Sequence, residues 1–104
     1  VVQAIGGETE GFVRTEADRP VGFVRVSQNR TMLSGHLSAP TFDEALPDAA
    51  ALALLDHGLA WFRGSNVRRI LCELPEDDRR AVRLIESRGF QRGFQLETLA
   101  KSLG

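Results

Sequence analysis

The sequence predicts an α+β domain, an α/β mixed sheet with elements in the order β-β-β-α-β-α-β. Three observations carry that prediction. Runs of β-forming residues separated by polar breaks open the chain, an apolar stripe at helical spacing follows, and an alternating strand then leads into a second, acid-capped helix that stops at a glycine.

Phe12-Val13-Arg14-Thr15-Glu16 and Val21-Gly22-Phe23-Val24-Arg25-Val26 are rich in β-branched and aromatic residues. Asp18-Arg19-Pro20 between them has turn chemistry, so the two runs read as a hairpin. Ser27-Gln28-Asn29-Arg30 makes the next break, and a third strand runs from Thr31 to Ser38, stopped by Pro40. The three form an antiparallel meander.

Pro47 suits the first turn of a helix. Leu52, Leu55, Leu59 and Phe62 follow at spacings of three, four and three, which defines one apolar face. Gly58 weakens this helix by about 1 kcal/mol relative to alanine, and Gly64 stands where a left-handed cap ends it. From Val67 to Leu74, Ile70, Cys72 and Leu74 alternate with Leu71 and Glu73, and Pro75 ends a largely buried strand. Glu76-Asp77-Asp78 then caps a helix carrying Ala81, Val82, Leu84 and Ile85, which Gly89 closes. Glu76 and Arg80 sit four apart, a favourable ion-pair spacing. In the tail, Phe94 to Leu99 reads as a last strand.

The 104 residues amount to one domain, 1–104, with residues 1–10 as a lead-in. Apolar residues at 42% and charged residues at 26% exclude disordered, collagen-like and disulfide-scaffold classes. Thirteen basic against 14 acidic side chains leave a net charge of −1, which gives no field to draw in nucleic acid or anionic lipid. Cys72, the one cysteine, has Leu71 and Leu74 beside it and reads as a buried strand thiol. The longest apolar run, Ala49 to Leu55, is too short to span a membrane, and Val1 to Gly7 has no signal-peptide pattern, so the expected location is cytoplasmic.

Two segments resemble the GNAT N-acetyltransferases. Phe12 to Val24 looks like the family's paired central strands, the second reading Val21-Gly22-Phe23. The other segment runs from Ala53-Leu54-Leu55 through Leu59-Ala60-Trp61, Val67-Arg68-Arg69-Ile70 and Ala81-Val82-Arg83-Leu84 to Glu86-Ser87-Arg88-Gly89-Phe90. It matches the family's helix, strand, helix and terminal Gly-Phe at natural spacing. The resemblance implies a GNAT-like domain lacking the usual N-terminal strand and two helices. It also implies acetyl-CoA held between two splayed parallel strands, with its diphosphate on backbone amides where the first long helix begins.

Carried over residue by residue, the resemblance places the cofactor beside Leu37 and Ser38 at the end of the first splayed strand, and at Ala49, Ala50 and Ala51 in the diphosphate loop. Asp78 and Arg80, at the start of the following helix, complete that set. The departures are specific. The loop positions that are Arg or Gln, Gly, and Gly or Ala in the family are Leu46, Ala49 and Ala51 here, and only Ala51 fits. Asp43, Glu44 and Asp48 crowd the expected anion site, and no Lys or Arg occurs between Arg30 and Arg63, so a functional site needs borrowed charge, which Arg79, Arg80 and Arg83 can supply, the other reading of these being solvated helix-surface arginines. The family's tyrosine general acid falls on Ile85 in a chain without tyrosine, and its helix-opening asparagine on Asp78. Glu73 and His36 are the candidate bases, whereas His57 is expected on an exposed helix face.

Two readings follow. One is an acetyl-CoA-dependent N-acetyltransferase acting on a small-molecule or protein amine, largely through proximity. The other is a GNAT-like dimerisation or partner-binding module without catalysis. Either way, a sheet without its N-terminal helices needs a second copy, or an upstream domain, to cover its apolar face and open edge.

Overall fold

The computed structural model describes residues 8–29, 33–63, 65, 67–75, 77–92 and 98–102. Strand β1 (Glu8–Glu16) and strand β2 (Arg19–Asn29) form the hairpin, longer than the sequence predicts. The turn is Ala17-Asp18, one position earlier than expected, with φ of 50° and 60°. Two successive left-handed residues make the tight turn whose twist matches flanking strands. Pro20 therefore lies inside β2, opposite Thr15, and Val21 is the extra residue where the register shifts.

Strand β3 (Ser34–Leu37) pairs antiparallel with β2, completing the meander. A two-residue strand that the sequence did not indicate, β4 (Thr41–Phe42), also pairs with β2. Helix α1 (Asp48–Ala60) follows, then strand β5 (Arg69–Glu73), parallel to β3, and helix α2 (Arg79–Glu86). Strand β6 (Gln91–Arg92) and strand β7 (Thr98–Ser102) complete the sheet, in the order β1-β2-β3-β5-β7-β6. The α+β class and the β-β-β-α-β-α-β order hold, with β4 and β6 as short additions. Thr31, Met32, Gly64, Glu76 with its pairing to Arg80, and the Phe94–Glu97 part of the last strand lie outside the described residues.

Alternation decides which face is buried. Val24 and Val26 of β2, Leu37 of β3, and Ile70 and Cys72 of β5 point to one side, where they meet Leu54 and Leu55 of α1 and Val82 and Ile85 of α2. The two helices lie side by side and parallel on this face, stitched by Arg80 and Arg83 to Asp48 at one end and Arg88 to Asp56 further along. On the other face, Val13 and Phe23 are exposed, 50% and 37%, and no described element covers them.

The inward stripe of α1 is Ala51, Leu54, Leu55 and Gly58, rotated from the expected Leu52, Leu55, Leu59 and Phe62. Leu52 and Leu59 are only half-buried. Gly58 is the cause, since a Cβ there would lie 2.9 Å from Cγ1 of Val24, so α1 sits closer to the sheet than a side chain would allow. At the end of α2, Gly89 takes the left-handed conformation, φ 90°, as its place after the helix predicts.

Candidate functional site

The parallel pairing of β3 with β5 runs from Ser34 opposite Arg69 to Leu37 opposite Cys72. Beyond that point the strands part. Ser38 donates its N–H to the Arg25 carbonyl at 2.9 Å, and Thr41 and Phe42 stay on β2, so this side of the cleft follows β2. On the other side Glu73 continues β5, paired with Thr98 of β7. The result is a splay bounded by Leu37 and Ser38 on one side and by Glu73 on the other.

The chain between β4 and α1 leads from this splay to the helix start. Asp43 closes the turn: its carbonyl accepts from Leu46 N at 2.9 Å, its Oδ1 from Ala45 N at 3.0 Å and its Oδ2 from Arg19 at 2.9 Å. Pro47 is the N-cap, extended, and no side chain caps the helix. The first intrahelical bond runs from Ala51 N to Pro47 O at 3.0 Å, and Ala51 itself is fully buried against Leu46 and Leu84. The amides of Asp48, Ala49 and Ala50 come before any intrahelical acceptor, so they are the donors an anion can meet. Ala51 supplies its methyl group to the core and its amide to the helix.

Of the three acidic residues set against an anion, Asp43 is paired with Arg19 and Asp48 with two arginines, while Glu44 is exposed. Asp48 accepts from Arg80 Nε at 3.1 Å and from Arg83 at 2.8 Å, one carboxylate against two guanidiniums. The hydrogen bonds from Arg83 and then Arg80 hold its carboxyl below the usual range. Arg80 also donates to the carbonyls of Asp43, at 3.1 Å, and of Leu46, and its guanidinium lies 5.9 Å from the centre of the Phe42 ring. Arg80 thereby anchors the start of α2 to the loop. Arg79 is exposed beside it.

Asp78 caps α2, its Oδ1 accepting from Ala81 N at 3.2 Å. Ile85 is fully buried in the core, so no general acid stands at that position. His36 and Glu73 are exposed and share the face opposite the helices, since His36 aligns with Leu71 and Glu73 lies two residues further along β5. Cys72 is buried, and burial, helped by the charge of Glu73, pushes its thiol up to about 12, which leaves it inert. Among the described residues no group of His, Cys, Asp and Glu could hold a metal ion, and no helix is long and apolar enough to cross a membrane. His57 is exposed, as expected, and stacks edge-on against Phe12.

Sequence reasoning missed the clamp of Arg80 on the loop carbonyls. The spacing of Arg80 and Arg83 on one helix face was a signal, but only the packing of α2 beside α1 shows that Asp48 is their target.

Compared by sequence, the chain matches no protein-family model and no curated protein. Compared by structure, it resembles acetyltransferases. An N-acetyltransferase from Staphylococcus aureus Mu50 superposes with a TM-score of 0.72 at 14% identity, over 94% of this chain and 68% of that one. A GNAT-family acetyltransferase from Streptococcus pneumoniae gives 0.71 at 19% identity, over 94% and 67%. A ribosomal-protein-alanine N-acetyltransferase from Brucella melitensis gives 0.66 at 18% identity, over 94% and 70%. The chain has the GNAT acetyltransferase fold and spans about two thirds of the length of these proteins.

Proposed function

We propose that the chain binds acetyl-CoA in the splay and transfers its acetyl group to an amine, carried by a small molecule or a protein, in the cytoplasm. The observation that carries this reading is the uncapped start of α1 beside the splay, where Asp48 is outweighed by Arg80 and Arg83. Free amides with the Arg80 and Arg83 guanidiniums close by suit a diphosphate. Ala49 and Ala50 supply amides, Arg80 charge, and Leu37 and Ser38 the strand edge; Asp78 keeps α2 in position, and the Ala51 amide stays with the helix.

Acetyl-CoA supplies an activated thioester. The amine nitrogen bonds to its carbonyl carbon, the carbon–sulfur bond breaks, and the proton lost by the amine balances the departing thiolate. Glu73, at the mouth of the splay, is placed to take that proton, with His36 as the other base on the same face. With Ile85 in place of an acid, positioning carries most of the rate.

The clamp of Arg80 favours a second reading, a GNAT-like module that binds a partner or a second copy without catalysis, because this arginine is already bonded to the loop. Calorimetric titration with acetyl-CoA separates the two. Saturable binding that Arg80→Glu abolishes and Arg68→Glu leaves intact supports the enzyme; no heat at millimolar cofactor leaves only the module.

A further inference from the structure

Where β3 and β5 part, one row across the sheet carries Arg25 of β2, Ser38 beside it and Glu73 on the far side of the splay. Arg25 alternates with the buried Val24 and Val26, and Glu73 follows the buried Cys72, so both charges stand on the face away from the helices, and both are exposed. Neither has an ion pair among the described residues. Two strand spacings, about 10 Å, separate their backbones. Side chains of this length narrow that gap to the span of one small zwitterion.

The same face has an apolar bed next to Arg25. Phe23 pairs with Val13, and both are exposed. The Phe23 ring leans over Gly11, the residue opposite Arg25, so that a Cβ at Gly11 would lie 3.0 Å from Cε1 of the ring. A side chain there would displace the ring, and glycine keeps it beside the arginine.

We propose that the acceptor is an α-amino acid with an apolar side chain, its carboxylate on Arg25, its ammonium on Glu73 and its side chain on Phe23 and Val13. This rests on the acetyl-transfer reading above, whose acceptor it specifies. A guanidinium fork matches a carboxylate, and opposite charges at the two ends of the row decide which way round the molecule lies, with its nitrogen toward the splay. The bound ammonium loses one proton to solvent. The neutral nitrogen then bonds to the acetyl carbon, the carbon–sulfur bond breaks, and a second proton passes by way of Glu73 to the departing thiolate.

Titration of the full chain with L-leucine, followed by nuclear magnetic resonance with no acetyl-CoA present, tests the acceptor class apart from the cofactor site. Saturable amide shifts are expected at Phe23, Arg25, Ser38 and Glu73. Leucinamide, which lacks the carboxylate, and 4-methylpentanoate, which lacks the amine, should each bind about tenfold or more weakly. Arg25→Gln should bring L-leucine to within about threefold of leucinamide, a loss of discrimination that a merely structural role would not produce. Should that variant fail to fold by circular dichroism, the three ligands on the wild type decide. No saturable shift at millimolar L-leucine overturns the inference. So does leucinamide binding as tightly as L-leucine, or a folded Arg25→Gln protein that still prefers L-leucine. These outcomes strike the acceptor class alone, whereas a failed coenzyme A titration strikes the transfer reading.

Discussion

Arg80, in the first turn of α2, donates its Nε to Oδ1 of Asp48, the first residue of α1, at 3.1 Å. The rest of the same guanidinium reaches back to the carbonyls of Asp43 and Leu46. One side chain thus ties the starts of both helices to the loop between them and the sheet, and sets the charge where an anion is expected.

Replacing Arg80 removes a donor from two loop carbonyls, of which that of Asp43 keeps only Leu46 N among the described residues. Arg80→Ala should cost about 1–3 kcal/mol in chemical denaturation, and Arg80→Lys should recover little, because an ammonium cannot span the loop and the carboxylate as a planar fork does. A lysine variant as stable as the wild type contradicts this.

Asp48 has its carboxyl lowered in the folded state by Arg83 first and Arg80 second. A depressed carboxylate stabilises the fold above its unfolded value, about pH 4, and that contribution is lost as the pH falls through the lower folded value. Acid titration of stability should therefore fall more steeply for the wild type than for Asp48→Asn below about pH 4, and the two curves should converge at the acid end. Parallel curves refute the assignment.

In an ordinary helix, glycine to alanine stabilises by about 1 kcal/mol. At Gly58 the new Cβ would meet Val24 Cγ1 at 2.9 Å, and Val24 is fully buried and β-branched, which restricts its χ1. Overpacking of about 1–3 kcal/mol outweighs propensity, so Gly58→Ala should lower the melting temperature. Adding Val24→Ala should recover part of that loss relative to Val24→Ala alone, as a double-mutant cycle measures.

Ala17 and Asp18 both hold positive φ in the β1–β2 turn. Ala17 is the costlier of the two, since alanine has no polar group to compensate for the left-handed conformation. Ala17→Asn with Asp18→Gly should raise stability by about 1 kcal/mol in urea denaturation without altering the hairpin, and an unchanged or lower midpoint contradicts the turn geometry.

The scaffold was legible because its signals are local. Alternation at Ile70, Cys72 and Leu74, the Asp78 cap and Gly89 each act within a few residues, and the structure places each as read. The rotation of α1 was not legible, because the close approach of Gly58 to Val24 depends on a contact more than thirty residues distant in sequence. Neither was β4, two residues long and held only by its pairing to β2. Asp43, Asp48, Arg80 and Arg83 were all visible as charges, but which of them pair at the start of α1 depends on which helix lies beside which.

The central claim is that the amides opening α1 receive a diphosphate. Amide chemical shifts followed by nuclear magnetic resonance during titration with coenzyme A test it most directly. The account predicts saturable shifts centred on Asp48, Ala49 and Ala50, with smaller ones at Ser38 and none at Glu16; shifts that are absent, or that cluster away from the start of α1, would contradict it.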